Sequence, residues 1–292
     1  MNLGPEVARS TCPIGVFDSG VGGLTVLREL YRHLPNESIV YFGDTARVPY
    51  GNRSAEEILQ FVREILVWMQ RQGCKMVIMA CNTSSALALE QVKAEFDIPV
   101  LGVVLPGAKA AVNQGSRIGV IATPATAKSG AYKRAIQEIS PEAQVWEVGC
   151  PEFVPLIESG RIQDPKTREV AQGYLAPLLE ANIDTLIYGC THYPHLSPVI
   201  QDLVPVGVRL IDPAVQMAIA TGQELQLLNL ANSSPALATY FGVSGDPDPF
   251  VAIAKQWLGY TPVVHRVILP RVEPEASSSA DIVMNDAVEV VS

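Results

Sequence analysis

The stretch Met76-Val77-Ile78-Met79-Ala80-Cys81-Asn82-Thr83-Ser84-Ser85-Ala86 decides the fold. Four apolar residues run into a small residue and a cysteine, and a helical pattern then begins. A short apolar run bounded in this way reads as a buried strand. Asn82, Thr83 and Ser84 read as the N-cap region of the helix that follows. Cys81 is therefore placed where a parallel strand ends and a helix starts, the edge at which open α/β sheets bind ligands. A thiol there feels the helix N-terminus, which favours the thiolate. Taken alone, Cys81 reads equally well as a small core residue.

A second stretch repeats the grammar: Thr185-Leu186-Ile187-Tyr188-Gly189-Cys190-Thr191-His192-Tyr193-Pro194. An apolar strand again ends in a small residue, then Cys, then a hydroxyl or amide residue. Cys190 follows Cys81 by 109 positions. Two unrelated core cysteines would not be expected to share a context this closely.

Working outward, the rest of the chain repeats as well. Pro13 to Phe17, Ser38 to Phe42, the Cys81 strand and Ile98 to Val103 read as four strands, with helices between them over Leu24 to His33, Ser54 to Gln72 and onward to about Phe96. Glu56 and Glu57 in the first turn after Ser54 suit that helix start. The pattern restarts at Arg117-Ile118-Gly119-Val120-Ile121, with Gly119 at an offset of 104 from Gly15. Thr123-Pro124 opens a helix, and Gln144 to Gly149, the Cys190 strand and Val208 to Asp212 complete the second set. Strands alternating with helices imply parallel sheets covered by helices. The fold class is α/β: two similar parallel-sheet domains related by a pseudo-twofold axis, with the active site in the cleft between them. The expected boundaries are 13–104 for the first domain, completed by 213–268, and 105–212 for the second. A helix from Val215 to Leu230, a late strand at Thr239 to Val243 and a helix from Pro249 to Leu258 return to the first domain. Residues 1–12 read as a polar leader and 271–292 as a disordered tail.

Composition narrows the function. The 292 residues, 48% of them hydrophobic, suffice for two cores. A net charge of −9 argues against a nucleic-acid partner. Five cysteines without regular spacing make a poor disulfide framework, and no Cys-x-x-Cys metal or redox motif is present. No signal peptide is evident, and no apolar run approaches the roughly 18 residues of a membrane span. A reducing cytoplasm fits best. Neither metal nor cofactor is expected, since there is no metal-ligand cluster and no recognisable pyridoxal-phosphate lysine. The glycines 20, 22 and 23 do not fit a dinucleotide-binding loop.

Two thiols facing each other across a cleft suit proton transfer at carbon. A thiolate takes a proton from one face of a stereocentre, and the opposite thiol delivers one to the other face. Free thiols titrate roughly 1.5 units above neutral, so a helix terminus and a nearby histidine can tune them. His192 is such a neighbour, whereas His195 reads as structural. Asp18 can pair with an ammonium group or serve as a helix N-cap. Asp44 reads as a turn residue.

Four motifs together, Asp18-Ser19-Gly20-Val21-Gly22-Gly23-Leu24, Gly43-Asp44-Thr45-Ala46-Arg47-Val48-Pro49-Tyr50-Gly51, Ala80 to Ala86 and Gly189 to Pro194, closely resemble glutamate racemase, of the cofactor-independent aspartate/glutamate racemase family. The resemblance spans about residues 13 to 265. It implies an enzyme that interconverts L- and D-glutamate for peptidoglycan synthesis without a cofactor. It implies that Cys81 and Cys190 are the catalytic pair, assisted by Asp18 and His192 on their respective sides. Glu158 then matches an acid beside that histidine, with Glu152 as the competing acid. Asp18, Ser19, Pro49, Tyr50, Gly51, Asn82, Thr83, Thr191 and His192 match substrate contacts. A homodimer is left open. The alternatives are a racemase of a related acidic amino acid such as aspartate, or a non-catalytic two-lobed protein binding an acidic metabolite.

Overall fold

The structure, a computed structural model, describes residues 9–272. Among these the strands form two parallel sheets. The first has the order β10-β9-β2-β1-β3-β4, from β1 (Ile14–Asp18), β2 (Ile39–Gly43), β3 (Met76–Met79), β4 (Val100–Gly102), β9 (Tyr240–Val243) and β10 (Val264–Arg266). The second has the order β6-β5-β7-β8, from β5 (Arg117–Ala122), β6 (Gln144–Gly149), β7 (Thr185–Gly189) and β8 (Arg209–Ile211). Helices α1 (Leu24–His33), α2 (Ala55–Arg71), α3 (Asn82–Glu95) and α4 (Val104–Val112) alternate with the first four strands. Helices α5 (Pro124–Ser129), α6 (Ala131–Ile139), α7 (Phe153–Glu158), α8 (Pro165–Glu180) and α9 (Ser197–Leu203) serve the second sheet, and α10 (Pro213–Leu227) and α11 (Pro247–Leu258) lead back to the first.

The central strands are buried on both faces, as parallel sheets under helices require. Side chains along them alternate between two cores. Ile14, Val16, Met76 and Ile78 face one layer with Leu24 and Leu27, while Phe17, Val77 and Met79 face the other with Ile65 and Met69. The repeated Gly15 and Gly119 have a shared packing reason. A Cβ at Gly15 would lie 2.7 Å from Met69 Sδ, and one at Gly119 would lie 2.8 Å from Ile183 Cδ1.

Helix starts follow their local chemistry. Ser54 and Glu57 exchange bonds as a capping box. Thr123, Asp164, Asp212 and Asp246 each cap a helix whose first residue is proline. The helix expected from Val215 therefore starts earlier, at Pro213. The third helix corrects the expected cap: Cys81 itself is the N-cap of α3, and Asn82, Thr83 and Ser84 form its first turn.

The late segment adds β9 beside β2 and β10 beside β9, both parallel. A buried ion pair at the amino-terminal edge of this sheet, Lys75 Nζ to Glu37 Oε2 at 2.5 Å, ties three segments together. Lys75 also donates to the carbonyls of Ser10 and Leu230, and Glu37 accepts from Asn232 N–H at 2.7 Å. The start of the expected disordered tail needs correction. Arg271 and Val272 are described, and the Val272 carbonyl accepts a bond from Gln60 on α2. The remainder of the tail, 273–292, and residues 1–8 of the leader lie outside the described residues.

Candidate active site

The site forms where the carboxyl ends of β1, β2, β3, β5 and β7 converge, the general location of ligands in open α/β sheets. Asp18 is the last residue of β1 and is fully buried. Cys81 lies two residues past β3 and Cys190 one residue past β7, with relative exposures of 6% and 7%. The loop that follows Asp18 runs directly over the second thiol's neighbourhood. A Cβ on Gly22 would sit 2.2 Å from Thr191 Oγ1 and 2.5 Å from His192 Nδ1. Thr191 Oγ1 donates to Asp18 Oδ1 at 3.4 Å, and the Thr191 carbonyl accepts from Thr25 Oγ1 at 3.2 Å. Asp18 Oδ2 accepts from Gly20 N–H at 3.0 Å, while the N-cap of α1 is Gly23, so Asp18 is not the helix cap.

On the Cys190 side a relay is built from three residues. His192 Nδ1 lies 3.9 Å from Cys190 Sγ, and His192 Nε2 lies 2.9 Å from Glu158 Oε1 at the end of α7. Burial opposes a charge on His192. The bonds to Cys190 and Glu158 and the nearby Asp18 outweigh it and raise the imidazole to about 10. His192 is therefore protonated at neutral pH and both ring nitrogens donate. Glu152, the competing acid, accepts instead from Tyr174 Oη at 3.1 Å. Cys190 is followed by a 3-10 turn, Tyr193–Leu196, because prolines at 194 and 198 delay the α-helix to Ser197. The two cysteines thus differ: Cys81 caps an α-helix, whereas Cys190 is paired with an imidazolium.

On the Cys81 side the electrostatic expectation is overturned. The backbone N–H groups of Ser84 and Thr83 do favour the thiolate, as a helix N-terminus should. Burial dominates, the Asp18 carboxylate and the Cys190 sulfur add repulsion, and Cys81 is pushed up to about 12. In the ligand-free protein Cys81 holds its proton. Asp18 is itself raised, chiefly by burial and against the pull of His192.

The two lobes are laced together around the thiols. Thr83 Oγ1 is 2.9 Å from Thr123 Oγ1 and 3.2 Å from Thr126 Oγ1, and Asn82 Oδ1 accepts from Tyr132 Oη at 2.6 Å. A Cβ on Gly51 would lie 3.1 Å from Thr123 Cβ, which brings the Pro49–Gly51 loop to the same place. Ser19 is half-buried at the bend after β1. Thr123, Thr126 and Tyr132, which the sequence did not single out, bond to the candidate site residues Thr83 and Asn82. The signal available was Thr123 at the end of the strand equivalent to β1, where Asp18 stands in the first half. His195 does lie apart from the relay. It lies against Trp257 with the rings tilted at 32° and their centroids 3.9 Å apart, and it is lowered to about 4 by burial and the charge of His192.

Gly22→Ala is expected to cut kcat/KM by at least about tenfold. An added methyl must displace Thr191 or His192, and small misplacements of reacting groups are costly. Steady-state kinetics on the folded variant checks this, with His192 titration by NMR as the structural readout.

Cys81 and Cys190 thus stand at equivalent strand ends of the two sheets, each buried. The Asp/Glu/hydantoin racemase family matches residues 14–221. A glutamate racemase of Rippkaea orientalis is 67% identical over 258 residues, covering 88% of this chain and 92% of that one. A glutamate racemase isoform from Bacillus anthracis superposes with a TM-score of 0.87 at 38% identity, covering 89% of this chain and 99% of that one. The Francisella tularensis glutamate racemase in complex with D-glutamate gives a TM-score of 0.84 at 37% identity, covering 89% and 98%. The chain belongs to the Asp/Glu/hydantoin racemase family and is an enzyme of the isomerase class.

Proposed function

We propose that this enzyme interconverts L- and D-glutamate by two-base proton transfer between Cys81 and Cys190, and that it supplies D-glutamate for peptidoglycan synthesis in the cytoplasm. The observation that carries the reading is the placement of two buried thiols at equivalent strand ends of the two sheets, with His192 and Glu158 bonded beside Cys190. Asp18 lies on the Cys81 side, and the His192–Glu158 relay serves Cys190. The identity of the glutamate racemases to which the chain is similar supports the substrate.

In this reading the working units are residues 13–104 with 213–268, and residues 105–212, each contributing one thiol. The substrate ammonium enters beside Asp18 and neutralises part of the charge that raises Cys81. The substrate carboxylates meet hydroxyls, amides and backbone N–H groups from Ser19, the Pro49–Gly51 loop, Asn82, Thr83 and Thr191. These donors bind an anion without placing a lysine or arginine beside the thiols. One sulfur removes the α-proton, and the other protonates the planar carbanion from the opposite face. His192 stays protonated and stabilises the Cys190 thiolate whenever that sulfur has given up its proton, and Glu158 fixes its ring. No cofactor takes part, so activity should survive chelation and exhaustive dialysis under reducing conditions.

The test is circular dichroism of L-glutamate, and separately of D-glutamate and L-aspartate, incubated with the purified protein. Decay of both glutamate signals to zero with aspartate unchanged supports the assignment. Turnover of aspartate in preference to glutamate would replace the substrate, and stable binding without any decay would replace the activity.

A further inference from the structure

The loop between β2 and α2 brings Pro49, Tyr50 and Gly51 to the site, and its anchor is Asp44, which the sequence marks only as a turn residue. Asp44 is the first residue past β2 and is fully buried. Its N–H donates to the Asp18 carbonyl at 3.0 Å, which extends the pairing of β1 with β2 by one step. Its carboxylate accepts on both oxygens. Oδ2 accepts from Arg47 Nε at 2.7 Å and from the Tyr50 hydroxyl. Oδ1 accepts from Ser244 Oγ at 2.7 Å, and Ser244 is the residue immediately after β9. The same Ser244 Oγ accepts from Ala46 N–H at 2.9 Å, and Gly245 N–H donates to Thr45 Oγ1 at 3.0 Å. Arg47 continues outward to Glu64 on α2 at 2.5 Å and lies over the Phe61 ring at 4.2 Å.

A hydroxyl has one proton to give, and Tyr50 gives it to Asp44. Tyr50 therefore offers the substrate no hydroxyl donor. Its buried side chain is a peg, and the loop it holds brings Gly51 against Thr123. We propose that Asp44 is a positioning residue for the racemase reaction. It locks the substrate-facing loop through Tyr50 and Arg47, and it ties that loop to the end of β9 through Ser244. A carboxylate is suited to this place because it accepts three side-chain donors at once, and charge-assisted bonds hold geometry better than neutral ones. The role explains why a strand contributed by the last quarter of the chain must dock beside β2. Without Ser244 the loop anchor would lose one of its three side-chain bonds.

This inference rests on the reading that the cleft takes glutamate, so the experiment begins with the wild-type chain. Failure of the wild type to racemise glutamate would refute that reading and leave the anchor testable by exchange alone. Asp44→Asn keeps the shape but removes the charge, and with one acceptor oxygen it cannot serve both the Arg47 and Tyr50 donors on one side and the Ser244 donor on the other. Loss of a bond to a charged group corresponds to about tenfold or more in binding. The expected result is a rise in KM of about tenfold with kcat within about threefold, which marks lost ground-state positioning. Hydrogen–deuterium exchange over residues 45–53 should become faster in the ligand-free protein, a readout independent of catalysis. Tyr50→Phe should give part of the KM effect alone and little more when added to Asp44→Asn. If Asp44→Asn does not fold, Ser244→Ala, which removes only the third bond, should still raise KM and loop exchange. A folded Asp44→Asn or Ser244→Ala protein with wild-type KM and wild-type exchange in the loop would overturn the proposal.

Discussion

Replacing either Cys81 or Cys190 with serine is expected to lower racemisation in both directions by about a thousandfold or more, with the fold retained. The magnitude is that of losing a positioned general acid or base, on the order of 10² to 10⁴. A serine hydroxyl fits the space but is far too weak an acid or base near neutral pH. Either change should be nearly as damaging as both together, because a two-base exchange needs a proton taken on one face and delivered on the other. Steady-state circular dichroism with each enantiomer, alongside thermal melts, checks the claim. A single variant that completes the stereochemical cycle at close to the wild-type rate would remove that cysteine from the mechanism.

The second large effect belongs to His192. His192→Asn is expected to lower kcat/KM by on the order of 10². The asparagine amide can stand where the ring Nδ1 stood beside Cys190, but it carries no charge and is too short to reach Glu158. The two enantiomers have equal free energy in solution, so kcat/KM must fall equally for both. Any asymmetry has to appear as compensating changes in kcat and KM between directions, which is a stringent internal check. The pH dependence carries a sign. His192 is raised above its ordinary value to about 10, so its charge persists through neutral pH and is lost as pH climbs through about 10. The wild-type kcat/KM profile should fall on the alkaline side near that value, and the variant should lack the His192 contribution, keeping only the fall due to the substrate ammonium common to both proteins. Stability follows the same linkage. The gain from holding the proton is complete below about 6.5, the unfolded value, and is lost as pH rises toward 10. Unfolding of the wild type should become easier across that window by more than unfolding of His192→Asn.

Much of this was legible in the sequence because it is written in periods. The apolar runs before Cys81 and Cys190, and the glycines at 15 and 119, mark equivalent strands of two parallel sheets. Strand ends in such sheets face a shared edge. The position of Cys81 at a helix start was also legible, but the sign of its shift was not. Helix position is local, whereas burial and the Asp18 charge arrive through packing. Cys190 looked equivalent to Cys81, yet the prolines at 194 and 198 replace the α-helix start with a 3-10 turn. That hands the tuning of Cys190 to His192. Thr123, Thr126 and Tyr132 needed the approach of one lobe to the other before their hydroxyls meant anything. Asp44 was hidden for a related reason. An Asp beside a Thr reads as a turn, and Ser244, which completes its role, stands two hundred positions away. The edge strand β10 is three residues long, too short for its alternation to announce it.

The most direct measurement of the central claim is the fate of the α-proton in heavy water. L-glutamate is incubated with the enzyme in deuterium oxide, and both enantiomers are separated and weighed for deuterium at low conversion. With Cys81 and Cys190 acting on opposite faces, the D-glutamate formed early carries solvent deuterium, while the unreacted L-glutamate keeps its proton. Rapid entry of deuterium into the unreacted L-glutamate would contradict the account, because it would mean that a single base serves both faces of the α-carbon.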